Sequence, residues 1–477
     1  MEPLVFAAAV TTGPIVLDVP VFSPGEGGTA AFRIPGLVSM PASNSSSNSG
    51  GVLMAFAEGR VENCADFGGI HTIVSKRSVD GGRSWSALRT LLDPAALFGN
   101  GTCPRGLRDG CEFWDPTPVY DAARGGGGGG ALHVLATLST TSAARMSGRL
   151  TLWQVTSADR GASWGAPRNI TAQVAHAELG VMTPGNGHGV QLAPATATGG
   201  GADGGGGRLL VAGYVRPQGD GSEFCATIAS DDGGGSWSLQ TAHGAAGNGT
   251  SECEVAQLLR GTGGLLVMDE RMNRDAQAAR GGCGQGVAGQ AVLTCRWRST
   301  SADGGATWQG LAPVPELPDP SCKGGIAAWA GGGAGGAGGI AALVQSSCGS
   351  QAARVNLTLR VSVDGGVSWP AERQVLLSAA AGYSDVQVQA ARAQGQRQQG
   401  QRQQQQQRTA DEAAVLYEAS ACGGIRLAIV ALDAITSEAQ PPTPPEPSTP
   451  PAPPAPIAPI APPPRRAGGR TALADFA

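Results

Sequence analysis

Ser78-Val-Asp80-Gly-Gly82-Arg-Ser-Trp85 reads S-x-D-x-G-x-x-W, and the same pattern returns four times. The copies run Ser157 to Trp164, Ser230 to Trp237, Ser301 to Trp308 and Ser362 to Trp369. From Asp to Asp the steps are 79, 73, 71 and 61 residues, and five of the nine Trp residues fall inside the boxes. A repeat at a near-fixed period names an architecture before any single residue does. Within a box, Asp followed by Gly predicts a hairpin turn. The carboxylate takes backbone N–H groups two residues on, and Gly supplies the positive φ. The Trp then covers the turn with a large ring. Stretches before the boxes, such as Ile70-His-Thr-Ile-Val-Ser and Val355-Asn-Leu-Thr-Leu-Arg-Val, alternate or run apolar as strands do. Each box is therefore expected to be a structural turn between antiparallel strands, its Asp not catalytic. A Ca²⁺ loop would need further oxygen ligands that the spacing lacks.

Strands recurring in units of about 60–80 residues match the four-stranded blades of a β-propeller. Five boxes with box-free sequence at both ends predict an all-β fold of six antiparallel blades. The expected division is a leader or blade-closing segment over 1–19, the propeller over 20–438 and a Pro-rich disordered tail over 439–477. Small-residue insertions at Ser45–Gly51, Gly125–Gly130, Gly199–Gly207 and Gly331–Gly339, and the Gln-rich Ala393–Arg408, read as loops.

A net charge of −4 gives no case for nucleic acid or an anionic membrane. No apolar run reaches the roughly 20 residues of a membrane span. Leu4–Val10 is apolar but short, with no Lys or Arg before it, a weak targeting signal. The ten Cys include no C-x-x-C pair, which argues against zinc, and the five His show no metal spacing. Their even number allows disulfides without fixing the pairing. N-x-S/T triplets at Asn44, Asn100, Asn169, Asn248 and Asn356 fit a secretory or lysosome-like route. No cofactor is implied.

The remaining signals are chemical. Ala31-Phe-Arg33-Ile-Pro35 opens the first strand pattern. Leu53-Met-Ala-Phe-Ala-Glu58-Gly-Arg60 ends an apolar strand in charges, and Asp66 follows. Further on stand Phe113-Trp114-Asp115-Pro-Thr-Pro, Pro184-Gly-Asn-Gly-His-Gly-Val-Gln-Leu192, Ser251-Glu252 to Leu258, Val267-Met-Asp-Glu-Arg271-Met-Asn273, Arg354-Val-Asn-Leu-Thr-Leu-Arg, Gly382-Tyr383-Ser384 and Leu416-Tyr417-Glu418. This ordered set, with the boxes, resembles the exo-α-sialidases (neuraminidases) over roughly residues 20–432.

That resemblance implies a six-bladed propeller that removes terminal α-linked sialic acid from glycoproteins, glycolipids or oligosaccharides with retention. Arg33, Arg271 and Arg354 would clamp the sugar's carboxylate, a task that suits the planar, always-charged guanidinium. Glu418 would hold Arg33. Asp66 would be the acid, Tyr383 the nucleophile and Glu252 its base, although Glu254 lies two residues on along the same strand face. A tyrosine nucleophile departs from the usual two-carboxylate scheme. Arg60 would support Asp66 or touch the sugar, and Asp115 would meet its O4 or N-acetyl side near Trp114. Glu270 adds a charge beside the clamp, and His188 reads as a loop residue in a Gly-rich turn. Two other classes fit the boxes: a non-catalytic glycan- or protein-binding propeller, and a related enzyme for deaminated sialic acid or sialyl transfer.

Overall fold

A computed structural model describes residues 14–41, 51–98, 111–124, 130–139, 150–193, 207–217, 223–240, 249–258, 264–283, 293–330, 342–389, 411–420 and 422–436. The expected Pro-rich tail, the Gln-rich stretch and most of the small-residue insertions lie outside these residues, as does Leu4–Val10.

Strands dominate. In chain order they are β1 (Ile15–Phe22), β2 (Ala31–Met40), β3 (Val52–Arg60), β4 (Ile70–Ser78), β5 (Arg89–Leu92), β6 (Cys111–Asp121), β7 (Ala131–Ser139), β8 (Leu150–Ser157) and β9 (Arg168–Asn169). Next come β10 (Thr183–Pro184), β11 (Val190–Gln191), β12 (Leu209–Val215), β13 (Phe224–Ser230) and β14 (Ser238–Leu239). The last are β15 (Thr250–Gln257), β16 (Leu266–Met272), β17 (Cys295–Ser301), β18 (Gln309–Pro318), β19 (Gly325–Trp329), β20 (Ala342–Cys348), β21 (Val355–Ser362), β22 (Gln374–Ala380), β23 (Ser384–Gln389), β24 (Glu412–Glu418) and β25 (Ile425–Ala431).

The fold is all-β and propeller-like, but the expected six separate blades are not what forms. Four sheets of four or five strands stand as discrete blades: β10–β14, β15–β18, β19–β22, and β23–β25 completed by β1. The strands β2–β9 make one eight-stranded sheet. The cause is a short parallel pairing of β4 with β6, Ile70 opposite Cys111 and His71 opposite Glu112, which joins two sets of antiparallel strands. Box spacing reports turns, and it is blind to such a cross-link. At the opposite extreme of the chain, β1 pairs antiparallel with β25, from Leu17 opposite Ile429 to Phe22 opposite Ile425.

The core lies in the seams between sheets. Phe32, Leu37, Leu53 and Ala55 of β2 and β3 pack with Leu416, Leu427 and Ile429 of β24 and β25. Val38, Met54 and Phe56 pack with Phe113, Val134 and Leu138 across the fused sheet. Strands β3 and β7 are buried along their whole length, including the charged Glu58 and Arg60 that end β3.

The boxes hold the far ends of these sheets. In each, the N–H of the second turn glycine (Gly82, Gly161, Gly234, Gly305, Gly366) donates to the box Ser Oγ at 2.8–3.0 Å. The Asp carboxylate reaches further than expected. It accepts the N–H four residues on, at Ser84, Ser163, Ser236, Thr307 and Ser368, at 2.7–3.0 Å. Both residues after each Asp have positive φ. Box two alone puts a side chain there: Arg160, at φ 59, donates to the carbonyls of Met40 and Pro41. Trp237, Trp308 and Trp369 are buried, and Trp85 and Trp164 half-buried.

Candidate functional site

The opposite strand ends converge. Three innermost strands, β2, β6 and β15, slip register near their starts: between Arg33 and Gly36, Trp114 and Thr117, and Ser251 and Glu254. At each slip one residue takes left-handed backbone: Ile34 (φ 59), Asp115 (φ 56) and Glu252 (φ 48). Pro35 and Pro116 sit in two of these bulges, where a missing N–H costs no ladder bond. Bulges re-aim side chains, and non-glycine residues at such φ persist only where the surroundings enforce them.

The re-aimed groups meet around Tyr383. Its hydroxyl donates to Glu252 Oε1 at 2.6 Å and accepts from Arg271 Nη1 at 2.9 Å. The guanidinia of Arg33, Arg271 and Arg354 lie 5.4, 6.0 and 5.1 Å from its ring centre. Arg271 also pairs with Glu252 and donates through Nε to Ser321 Oγ at 3.3 Å. Arg354, just before β21, is exposed over the ring. Glu418 ties two elements together. It accepts Nε and Nη2 of Arg33 at 3.1 and 3.3 Å, and the backbone N–H groups of Ile34 and Tyr383, both at 3.0 Å.

Asp66 stands across from Tyr383 on the loop between β3 and β4. Arg33 Nη1 and Arg60 Nη1 donate to its Oδ1 at 2.6 and 2.7 Å, while its side chain stays 58 % exposed. Arg60 is held in turn by Glu58 at 2.9 Å. Asp115 is buried deeper. Its N–H donates to Glu58 Oε1 at 3.0 Å, and its carboxyl accepts from Asn186 Nδ2 at 3.2 Å and the Tyr214 hydroxyl at 3.4 Å. Trp114 meets Phe67 edge-on, with ring centres 5.5 Å apart.

Electrostatics divides these groups. Burial pushes the Tyr383 phenol well above its ordinary value, with Glu252 adding to the rise, so it keeps its proton. Burial also raises Glu252, but Arg271 and the Tyr383 hydroxyl outweigh it and hold the carboxyl low and ionised. For Asp66, Arg33 and Arg60 overcome desolvation and lower the carboxyl. Asp115 goes the other way: burial and the neighbouring Glu58 and Glu252 raise it well above the usual range. The arrangement is a protonated phenol beside one ionised carboxylate, with a second held low by Arg33 and Arg60, among several cations.

All nine residues singled out in the sequence thus lie in one neighbourhood. The bulge separates Glu252 from Glu254, so the two do not share a face. Glu254 joins a separate buried cluster instead. There His188 Nδ1 lies 2.5 Å from Glu254 Oε1 and 2.8 Å from Asp385 Oδ1, and Lys323 pairs with Glu254. His188 is therefore a buried ion-pair member rather than a loop residue. Burial opposes its charge, but Glu254 and Asp385 push it up to about 10. The ligand atoms of His188, Glu254 and Asp385 lie within 4.8 Å of one another, as metal ligands might, but Lys323 already brings a cation to them. Glu270 is buried, and its carboxylate accepts the Ser299 hydroxyl at 2.5 Å. Sequence reading missed Ser321 and Tyr214, which stand in no quoted motif, and Asn186, which lies in the quoted Pro184–Leu192 stretch but was given no role.

Among the described residues, disulfides join Cys64 to Cys422, Cys225 to Cys253 and Cys283 to Cys295, while Cys322 and Cys348 are buried thiols. No helix among them is long and apolar enough to cross a membrane.

Known proteins resemble this chain in both sequence and fold. The family model described as a BNR repeat-like domain matches residues 53–394. A sialidase of Bacteroides fragilis (strain YCH46) is 27% identical over 368 residues, covering 76% of this chain and 58% of its own length. A sialidase of Micromonospora viridifaciens is 26% identical over 363 residues, covering 73% of this chain and 47% of its own. The chain thus spans about half the length of these relatives. Among solved structures, the Hadza microbial sialidase Hz136 superposes with a TM-score of 0.64 at 23% identity, over 88% of this chain and 69% of that one. At that identity the likeness speaks for the fold alone.

Proposed function

Because this chain belongs to the sialidase family with BNR, or Asp-box, repeats, we propose that it is an exo-α-sialidase. It would release terminal α-linked sialic acid from glycans with retention of configuration. One observation carries the reading. Three guanidinia surround the ring of Tyr383, and its hydroxyl donates to an ionised Glu252 at 2.6 Å. A binding module has no need of a phenol paired with a base, whereas a nucleophile does.

In this proposal Arg33, Arg271 and Arg354 take the sugar's carboxylate, with Glu418 holding Arg33 in place. Tyr383 Oη forms a bond to the anomeric carbon as its proton passes to Glu252. The bond from that carbon to the leaving oxygen breaks, and Asp66 supplies the oxygen's proton. At rest Asp66 is ionised because Arg33 and Arg60 hold it. A substrate carboxylate that engages Arg33 weakens that hold and raises Asp66 toward protonation. Water then attacks the same carbon and gives a proton to Asp66, while Glu252 returns its proton to the departing Tyr383 oxygen. The neutral phenol meets a carboxylate-bearing carbon with less repulsion than an anionic nucleophile would. Arg60 would steady Asp66, and Asp115 would lie toward the sugar's O4 or N-acetyl side.

A 3-fluoro sialosyl fluoride tests this reading. Peptide mapping is expected to find the adduct on Tyr383, and NMR of the hydrolysis product to show the α anomer first. Tyr383→Phe is expected to abolish labelling. An adduct on another residue, or an inverted product, would refute the mechanism.

A further inference from the structure

The loop 61–69 that carries Asp66 is tied down at several points. Cys64 is bonded to Cys422 in the β24–β25 connection, and Arg60 donates to the Cys64 carbonyl at 2.8 Å. Phe67 rests on Trp114. The His71 ring bonds the Ala65 backbone. A further tie is the Gly68 N–H, which donates to Glu112 Oε1 at 2.5 Å, and the Gly69 N–H bonds the same carboxyl.

Glu112 is not part of the reaction above, yet it is only 1 % exposed. It opens β6 and sits opposite His71 in the two-rung parallel pairing that fuses the sheets. That pairing brings the carboxyl to the foot of the Asp66 loop. A buried carboxyl is costly, and an apolar side chain would fill the space at less expense. Two buried polar atoms there, Glu112 Oε2 and His71 Nδ1, have no hydrogen-bond partner among the described residues. Such a group earns its place by what it holds.

We propose that Glu112 is a positioning residue, whose carboxyl grips the Gly68 and Gly69 amides and so sets where Asp66 stands. The proposal rests on the reading of Asp66 as the acid. Its surroundings make the grip depend on pH. Glu58 and Arg60 face it from β3, His71 from β4, and Ser139 pairs with it from β7. Burial pushes Glu112 up to about 7, Glu58 adds to the rise, and the two loop amides and Arg60 pull it back. Burial and Arg60 hold His71 down to about 3, so it brings no counter-charge. A carboxyl raised on folding favours the protonated form. Its support is complete below its unfolded value of about 4.3 and is lost as pH rises through about 7.

Hydrogen exchange of the 61–69 peptide in the full chain, from pH 5 to 8 and corrected for intrinsic rates, tests this. In the wild type, exchange is expected to quicken several-fold as pH passes about 7. Glu112→Gln keeps an acceptor without the titration, and its exchange is expected to show no such step. Glu112→Ala is expected to exchange faster at every pH and to lower kcat on an aryl sialoside by about 10- to 100-fold, with KM changed far less. Exchange and kcat both within about two-fold of wild type in Glu112→Ala would overturn the proposal. So would a pH step that survives in Glu112→Gln, which also decides the matter should the Ala variant fail to fold. Exchange needs no turnover, so a chain inactive on sialosides refutes the proposed function while leaving this test intact.

Discussion

At the box ends of the sheets, the Asp two residues after each box Ser is satisfied within its own eight residues, five times over. At the other ends, carboxylates, guanidinia and the Tyr383 phenol are pooled from four of the five sheets, and Tyr214 of the fifth reaches Asp115. In the boxes, donors from Thr307 and Ser301 hold Asp303 down to about 2, and similar bonds do the same for Asp232. Around Tyr383 the shifts run in both directions: Glu252 and Asp66 fall while Asp115 and Tyr383 itself rise. Both ends use left-handed backbone. The boxes place glycine there in all but one case, whereas the converging ends place Ile34, Asp115 and Glu252. A feature that repeats and closes on itself supports the fold. A feature that occurs once, is strained and draws on distant strands marks where chemistry is done.

The contrast can be broken most forcefully at Arg271. Arg271→Ala removes a charged partner of Glu252 and Tyr383. It is expected to lower kcat/KM on every sialoside by roughly 10- to 150-fold, the equivalent of about 1.5–3 kcal/mol for a hydrogen bond to a charged group. The melting temperature should move little. Near wild-type kinetics in this variant would show that the pooled cations are structural after all.

The converse change is Gly82→Ala. Gly82 has φ 88, and an added Cβ would run into Leu427 of β25. A loss of about 1–3 kcal/mol in denaturant unfolding is expected, with kcat per folded molecule unaltered. A kinetic defect in the folded fraction would mean that the two ends are coupled.

The smallest expected effect concerns the buried cluster between the ends. His188 is raised on folding to about 10, so its contribution is complete below its unfolded value of about 6.5 and is lost as pH rises through about 10. The melting temperature of the wild type should therefore decline over that window, and His188→Gln should flatten the decline by about a few °C. An unchanged slope would show that His188 does not carry the charge its neighbours favour.

How far the sequence foretold this molecule depended on distance along the chain. Box turns are made by residues a few positions apart, so Ser78, Asp80 and Gly82 announce them directly. The site residues were legible only as an ordered set, since Arg33 or Tyr383 alone is an ordinary residue. Three features left no mark. The pairing of His71 with Glu112 joins strands across a long intervening segment, and it turned the expected six blades into four plus a fused sheet. The Cys64–Cys422 bond spans 358 residues. The bulge that parts Glu252 from Glu254 is a backbone event, invisible to an alternation rule that counts every residue as one step.

Ring closure has a mechanical side. Ile15, at the start of β1, lies opposite Val430 near the end of β25. Tension applied at these two residues falls on one edge of the seam, so its hydrogen bonds part in succession instead of sharing the load as they would under shear. Under force β1 is expected to peel from β25 first, in the sheet that packs against β2 and β3.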